Sequence, residues 1–149
     1  MDLSPELVAR IKKNEGFKLK PYTLEYTTAD GERIVEDFQT GGYGHKILPG
    51  EDIPTTVEGW EQVLNNDIIK AIEGAKTLVS PDKVPQAAFD VVTEMVFQMG
   101  TKGVGKFKKT LKYLNEGDYK KAAVEMLDSR WARQTPGRAE ELSEILNNL

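Results

Sequence analysis

The chain has 149 residues, of which 39% are hydrophobic and 30% are charged. This length and balance suit one domain with a core and exclude a globally disordered chain. The net charge is −4, so the sequence lacks the dominant basic surface expected of a nucleic-acid-binding protein. Cysteine is absent and His45 is the single histidine, which excludes disulfides and argues against a zinc site.

The first predicted element is a helix. Ser4 and Pro5 form a typical start, with serine as the N-cap and proline in the first helical position. An apolar face at helical spacing follows, formed by Leu7, Val8 and Ile11. Gly16 suits the C-cap, which places Glu15 at the negative end of the helix dipole, where an ionised carboxylate is disfavoured.

The next segment is predicted to form a small antiparallel sheet. Residues 17–28 alternate or are rich in β-prone side chains, residues 29–32 form a strong turn signal, and residues 33–40 read as the return strand. Gly41, Gly42 and Gly44 then allow close backbone approach and unusual dihedral angles.

The rest of the chain is predicted to be helical. Helices are expected at residues 55–77, 86–99, 106–115 and 118–128, with a last one starting at Thr135-Pro136. The second of these is almost wholly apolar and should be the buried central helix. The order predicts an α+β fold, with a small β lobe (residues 16–50) and a larger helical lobe (residues 55–149 and the N-terminal helix) in one domain, residues 1–149.

No targeting or membrane segment is predicted. The N-terminal residues lack the apolar core of a signal peptide, and no apolar run approaches the length of a membrane span.

Two ordered signatures are specific enough to indicate a family. The first comprises Glu15-Gly16, Leu19-Lys20, Tyr22 and the run TGGYGH from Thr40 to His45. The second comprises MVFQMG at residues 95–100, then SRW, QTP and RA within residues 129–139. Over nearly its full length the chain resembles the T-even phage-type lysozymes, glycoside hydrolase family 24. The resemblance implies a lysozyme-like fold that cleaves the β-1,4 bond between N-acetylmuramic acid and N-acetylglucosamine in peptidoglycan, with no metal or organic cofactor.

The resemblance also implies roles for individual residues. Glycosidic cleavage needs an acid that protonates the leaving oxygen and a negative group that stabilises the transition state or activates water. Glu15 matches the family's general acid, and Thr40 matches the threonine that positions the attacking water. Arg138 matches an arginine that approaches the catalytic glutamate and is expected to orient it.

The chain departs from the family at the second carboxylate. The family aspartate lies two residues after the tyrosine, and that position here is Leu24, which cannot ionise. Seventeen residues separate Tyr22 from Thr40, a longer connection than in the family, which is read as an extended hairpin.

Two carboxylates are candidates to replace the missing aspartate. Glu25 is the sequence neighbour of position 24, whereas Asp37 would face position 24 if the hairpin folds symmetrically about residues 30 and 31. The same symmetry would place Glu25 opposite Glu36. Both candidates stay open, and the acidic residues at positions 30 and 32 are assigned to the turn.

Further positions are assigned by the resemblance. Phe97 and Thr110 fall where the family lines its sugar cleft, although Phe97 could equally be a core residue. Lys46 and Glu125 occupy cleft positions where the family usually has other residue types. The histidine is expected to form a structural pair with Asp67 in place of acting as a general base.

The leading functional prediction is a monomeric muramidase that acts on bacterial peptidoglycan and does not bind nucleic acid. It would be a phage endolysin, held in the host cytoplasm until release to the cell wall, or a virion-associated lysozyme. The alternatives are a catalytically impaired peptidoglycan binder, suggested by Leu24, and a structural baseplate or tail module.

Overall fold

The computed structural model describes residues 4–149, apart from the side chain of Asp37. Over this part the chain forms seven helices and one three-stranded antiparallel sheet, so the α+β prediction is confirmed. The elements in chain order are α1 (Pro5–Glu15), β1 (Lys18–Thr27), β2 (Arg33–Gly42), β3 (His45–Lys46), α2 (Val57–Lys76), α3 (Gln86–Gly105), α4 (Lys108–Glu116), α5 (Tyr119–Leu127), α6 (Arg130–Gln134) and α7 (Pro136–Asn147).

The described part of the chain divides into two compact units. The sheet unit comprises Val8–Asp67, and the helical unit comprises Ile68–Leu149 together with residues 4–7. Helices α1 and α2 each contribute residues to both units. Among residues 4–149, no helix combines the length and the apolar composition that are needed to cross a lipid bilayer.

Helix α1 begins and ends at its predicted capping residues. The Ser4 hydroxyl accepts a hydrogen bond from the Leu7 backbone N–H at 3.4 Å. Gly16 follows the last helical residue with a φ of 70°, and its N–H donates to the Lys12 carbonyl at 3.1 Å. Glycine adopts this left-handed conformation without a Cβ penalty, so the helix stops immediately after Glu15.

The β1–β2 hairpin is irregular on both strands. Tyr22 pairs with Thr40 and Thr23 with Gln39, but the register shifts by two residues before Glu25 pairs with Val35. One residue of β1, Leu24, therefore lies opposite three residues of β2, at positions 36–38. A second shift lies between positions 18 and 22, where the surplus is on β1 and includes Pro21. Proline is tolerated there because β1 is an edge strand and the position is bulged.

This register corrects one sequence-based prediction. The symmetric hairpin predicted that Glu25 would face Glu36, but its Cα partner is Val35. The predicted turn is present, with the Thr28 N–H donating to the Glu32 carbonyl at 2.8 Å. The prediction failed because the regular pairs from Thr27–Arg33 to Glu25–Val35 centre the hairpin on Asp30 and not between residues 30 and 31.

The helical unit is organised around α3, as predicted. Every residue from Ala88 to Val96 is buried, and Gly100 interrupts the helix with a φ of 82° and a ψ of 159°. Helix α7 packs against α3, α5 and α6, and α5 also packs against α4. The short helix α6 was not predicted; Ser129 caps it by accepting a hydrogen bond from the Ala132 N–H at 3.1 Å.

Candidate active site

Glu15 lies at the C-terminal end of α1, and its carboxylate is packed against the turn that connects β2 and β3. A Cβ built on Gly44 would lie 2.6 Å from Glu15 Oε2, and Gly44 has a φ of 75°. The left-handed backbone favours glycine at this position, and a Cβ there would force the Glu15 carboxylate to move. The Glu15 side chain is half-buried, so the turn limits the positions that its carboxylate can occupy.

Trp60 supports the same turn from within the sheet unit. Its ring lies so close to Gly41 and Gly42 that a Cβ on either glycine would meet ring atoms at 2.6 Å and 2.4 Å. The indole Nε1–H donates a hydrogen bond to the Leu19 carbonyl at 2.9 Å. Trp60 thus contacts the end of β2 and the beginning of β1. The glycine run predicted close backbone approach, but the sequence did not identify Trp60 as the partner.

Thr40 is positioned by the sheet. It is only 3% exposed and lies on β2 directly opposite Tyr22 on β1. A β-branched side chain has restricted χ1 freedom, which limits the directions that the hydroxyl can take. Such a hydroxyl can donate one hydrogen bond and accept others.

The two candidate second carboxylates occupy different positions. Glu25 is exposed and forms an ion pair with Arg33, which lies diagonally across the hairpin toward the turn. The backbone of Asp37 belongs to β2 and lies in the three-residue segment opposite Leu24, but its side chain lies outside the described residues. Leu24 itself is 39% exposed.

His45 contacts two carboxylates. Its Nδ1 lies 2.6 Å from Asp67 Oδ2, which is the predicted pair, and its Nε2 lies 2.9 Å from Glu51 Oε2. Burial disfavours the charged imidazolium, but the hydrogen bonds and charges of Asp67 and Glu51 outweigh burial and raise the pKa of His45 above 6.5. The sequence did not single out Glu51, which lies in an irregular loop.

Aromatic and cationic side chains surround the β2–β3 turn. The rings of Phe17 and Tyr43 are 4.9 Å apart, and Lys12 Nζ lies 5.4 Å from the centre of the Tyr43 ring. Lys46, one of the positions that differ from the family, places its ammonium 4.0 Å from the centre of the Phe38 ring. The two contacts between an ammonium group and a ring are favourable through the negative face of the ring.

The helical unit contains a cavity of about 510 Å³ at the start of α4. Thr110 is 4% exposed and lines this cavity, as does Glu125 from α5. The other lining residues are Lys106, Phe107, Lys108, Lys109, Asp128 and Ser129. Phe97, on α3, is half-buried, so its side chain is not fully withdrawn into the core.

Arg138 lies at the start of α7 and contacts a buried acid on α3. Its Nε donates to Glu94 Oε2 at 3.1 Å, and the Glu94 side chain is 0% exposed. The sequence predicted an orienting role for Arg138 but did not predict Glu94 as a partner.

Trp131, on α6, contacts two other elements. Its indole donates to Gln98 Oε1 at 2.9 Å, and its ring meets Phe107 edge-on at 6.0 Å.

Comparison with known proteins decides the family. The family described as phage lysozyme matches residues 12–146. The chain belongs to the phage lysozyme family. It is 43% identical over 152 residues to "Probable T4-type lysozyme 2" of Dictyostelium discoideum, covering 91% of this chain and 89% of that protein.

Two phage proteins are also similar to this phage-type lysozyme. It is 33% identical to the "Endolysin" of Bacillus phage B103, over 85% of this chain and 45% of that protein. It is 44% identical to the "Pre-baseplate central spike protein Gp5" of Enterobacteria phage T4, over 91% of this chain but only 26% of that longer protein.

Family membership fixes the class of reaction. The chain is a lysozyme, a glycoside hydrolase of the family that degrades peptidoglycan. Among the side chains that the structure describes, no three histidine, aspartate or glutamate residues are grouped so that they could hold a metal ion.

Proposed function

We propose that this lysozyme cleaves the β-1,4 bond between N-acetylmuramic acid and N-acetylglucosamine, with Glu15 as the general acid. The observation that carries the proposal is the position of the Glu15 carboxylate, packed against Gly44 within the TGGYGH segment of a family member. A general acid must be held within hydrogen-bond reach of the leaving oxygen, and this packing restricts where the carboxylate can be.

Thr40 is the proposed water-positioning residue. Its side chain is buried on β2, opposite Tyr22, and its β-branched shape limits the directions that the hydroxyl can take. In an inverting mechanism the nucleophilic water attacks the sugar from the face opposite the acid, and a carboxylate deprotonates it. Thr40 would orient that water by accepting one of its hydrogen bonds.

Asp37 is the proposed second carboxylate. Its backbone lies in the β2 segment opposite Leu24, the position at which the chain departs from the family. Glu25 is less suitable, because its carboxylate is exposed and paired with Arg33 on the side of the hairpin nearer the turn. The bulge brings three β2 residues opposite one β1 residue. It therefore supports the proposal that a carboxylate on β2 replaces the one that the family has on β1.

Substrate contacts are proposed for Thr110 and Phe97. Thr110 lines a cavity that carries lysines together with Glu125 and Asp128, so it can receive groups of both charges. A half-buried aromatic ring such as Phe97 can pack its face against a sugar ring.

The route to the cell wall stays a prediction. The relatives include one protein named an endolysin and one named a central spike protein. Release during lysis and delivery by the virion are therefore both proposed routes, and a monomer is the proposed active form.

The bond specificity can be tested from the products. Purified peptidoglycan is digested, the new reducing ends are converted to alditols with borohydride, and the fragments are identified by mass spectrometry. We expect the alditol of N-acetylmuramic acid at the new ends. The alditol of N-acetylglucosamine would contradict the proposed bond, and the absence of new reducing ends would contradict hydrolysis.

A further inference from the structure

His45 is held from both sides by carboxylates that belong to different segments. Asp67 is part of α2, whereas Glu51 belongs to the loop at residues 47–56 that connects β3 to α2. Glu51 also accepts the Leu48 backbone N–H through Oε1 at 2.8 Å, with the same oxygen 3.1 Å from His45 Nε2. Glu51 thus joins the histidine to the loop backbone.

The two contacts can both form in only one protonation state of His45. An ionised carboxylate only accepts hydrogen bonds, so each ring nitrogen of His45 must carry a proton to satisfy its partner. A neutral imidazole has one N–H and can keep only one of the two bonds. Loss of the second proton must therefore break the contact with Asp67 or the contact with Glu51.

The contact with Glu51 is the longer of the two. The distance from Nδ1 to Asp67 is 2.6 Å, compared with 2.9 Å from Nε2 to Glu51. Asp67 is also held by the 20-residue helix α2, whereas Glu51 lies in a loop without regular structure. Deprotonation of His45 should therefore release Glu51 first.

The released segment adjoins the proposed acid. His45 follows Gly44 directly, and its Cα pairs with Gly41 on β2. Gly44 is the residue against which the Glu15 carboxylate packs, and Gly41 packs on the Trp60 ring. Loss of a contact at His45 therefore occurs one residue away from Gly44, against which the Glu15 carboxylate packs.

We propose that Glu51 is a positioning residue for the reaction, which closes a two-carboxylate clamp on protonated His45 and so fixes the β2–β3 turn against Glu15. The inference rests on the proposed role of Glu15 as the acid. The charged groups that act on His45 are Asp67 from α2 and Glu51 from the loop, and the Trp60 ring lies 6.4 Å from the imidazole as an uncharged neighbour. Opening of the clamp makes the enzyme less active as the pH rises through the His45 titration.

The test compares Glu51→Gln with the wild-type protein and with Asp52→Asn, which removes the same charge from the adjacent exposed residue. The pKa of His45 is measured by NMR titration, where the single histidine gives an unambiguous signal. The kcat/KM for peptidoglycan hydrolysis is measured over the same pH range. The ratio of variant to wild type cancels the titration of groups that both proteins share.

We expect Glu51→Gln to lower the pKa of His45, because it removes one of the two carboxylates that raise it. Its kcat/KM ratio should stay near one at low pH and fall across the His45 titration, by up to the factor by which the acid dissociation constant rises. The Asp52→Asn ratio should stay flat. A ratio for Glu51→Gln that does not change with pH, or a His45 pKa that does not move, would overturn the role of Glu51. Failure of the wild-type protein to hydrolyse peptidoglycan at any pH would instead contradict the proposed function.

Discussion

The carboxylate of Glu15 occupies the space in which a side chain on Gly44 would begin. A methyl group at position 44 would lie 2.6 Å from Glu15 Oε2, well inside van der Waals contact. The C-terminal end of α1, which carries the acid, therefore packs closely against the glycine-rich turn. Any side chain at position 44 must displace the carboxylate or the turn.

Gly44→Ala should accordingly lower kcat in addition to lowering the free energy of unfolding. We expect a backbone cost of about 1–2 kcal/mol in the free energy of unfolding, because alanine is strained at positive φ. We also expect a loss in kcat, because the carboxylate is displaced. Gly31→Ala is the matched control, since Gly31 has a φ of 85° and no atom within 4 Å of its added Cβ. Equal kcat values for the two variants would show that the contact with Glu15 has no role.

The second carboxylate is tested by Asp37→Asn and Glu25→Gln. We expect Asp37→Asn to lower kcat/KM by roughly 10²–10⁴-fold, the usual contribution of a general base. Glu25→Gln should keep near wild-type activity and change stability by less than about 1 kcal/mol, because its ion pair with Arg33 is exposed. Lysis assays on outer-membrane-stripped bacteria and reducing-end release measure the activities of the two variants. The reverse order of losses would assign the role to Glu25, and two fully active variants would exclude both residues.

The His45–Asp67 pair should make stability depend on pH in a defined direction. The folded-state pKa of His45 is raised, so its stabilising contribution is fully present below the unfolded value of about 6.5 and is lost as the pH rises through the folded value. Asp67→Asn should therefore cost about 1.5–3 kcal/mol when the pH is below 6.5, the range for hydrogen bonds to charged groups, and less when the pH is above the folded-state pKa of His45. Urea unfolding of both proteins across this range measures the difference. A cost that is constant with pH would contradict the charged pair.

Glu94 and Arg138 should behave as a buried ion pair. Removal of one partner leaves the other charge buried, so Glu94→Ala is expected to cost about 3–5 kcal/mol in the free energy of unfolding. The double replacement of Glu94→Leu with Arg138→Met should recover much of that loss, because apolar groups of similar volume need no partner. Thermal and denaturant unfolding provide the comparison. A double variant that is as unstable as Glu94→Ala would argue against this reading.

The elements with local signals could be predicted from the sequence. Ser4-Pro5 and Gly16 bound α1 because capping depends on nearby backbone groups, and the apolar run after Pro85 identified the buried central helix. The hairpin turn was likewise predicted, because Gly31 supplies its positive φ. The resemblance, not the spacing, identified Asp67 as the partner of His45.

The features that depend on distant contacts could not be predicted. The two bulges of the β1–β2 hairpin change which residues lie opposite Leu24 and opposite residues 19–21, and no count along the chain contains those shifts. Glu51 is one acid among many in an irregular loop, and only the fold brings it to the imidazole. The packing of Trp60 on Gly41 and Gly42 likewise joins residues about twenty positions apart.

Glu15→Gln tests the central claim most directly. The change removes the proton donor and keeps the size of the side chain beside Gly44. We expect reducing-end release from peptidoglycan to fall by about 10²–10⁴-fold, while circular dichroism and the unfolding midpoint stay close to wild type. Glu61→Gln is the control, because it removes an acid paired with Lys12 in the same unit and should leave turnover unchanged. A folded Glu15→Gln protein that hydrolyses peptidoglycan within about tenfold of the wild-type rate would contradict the assignment of Glu15 as the acid.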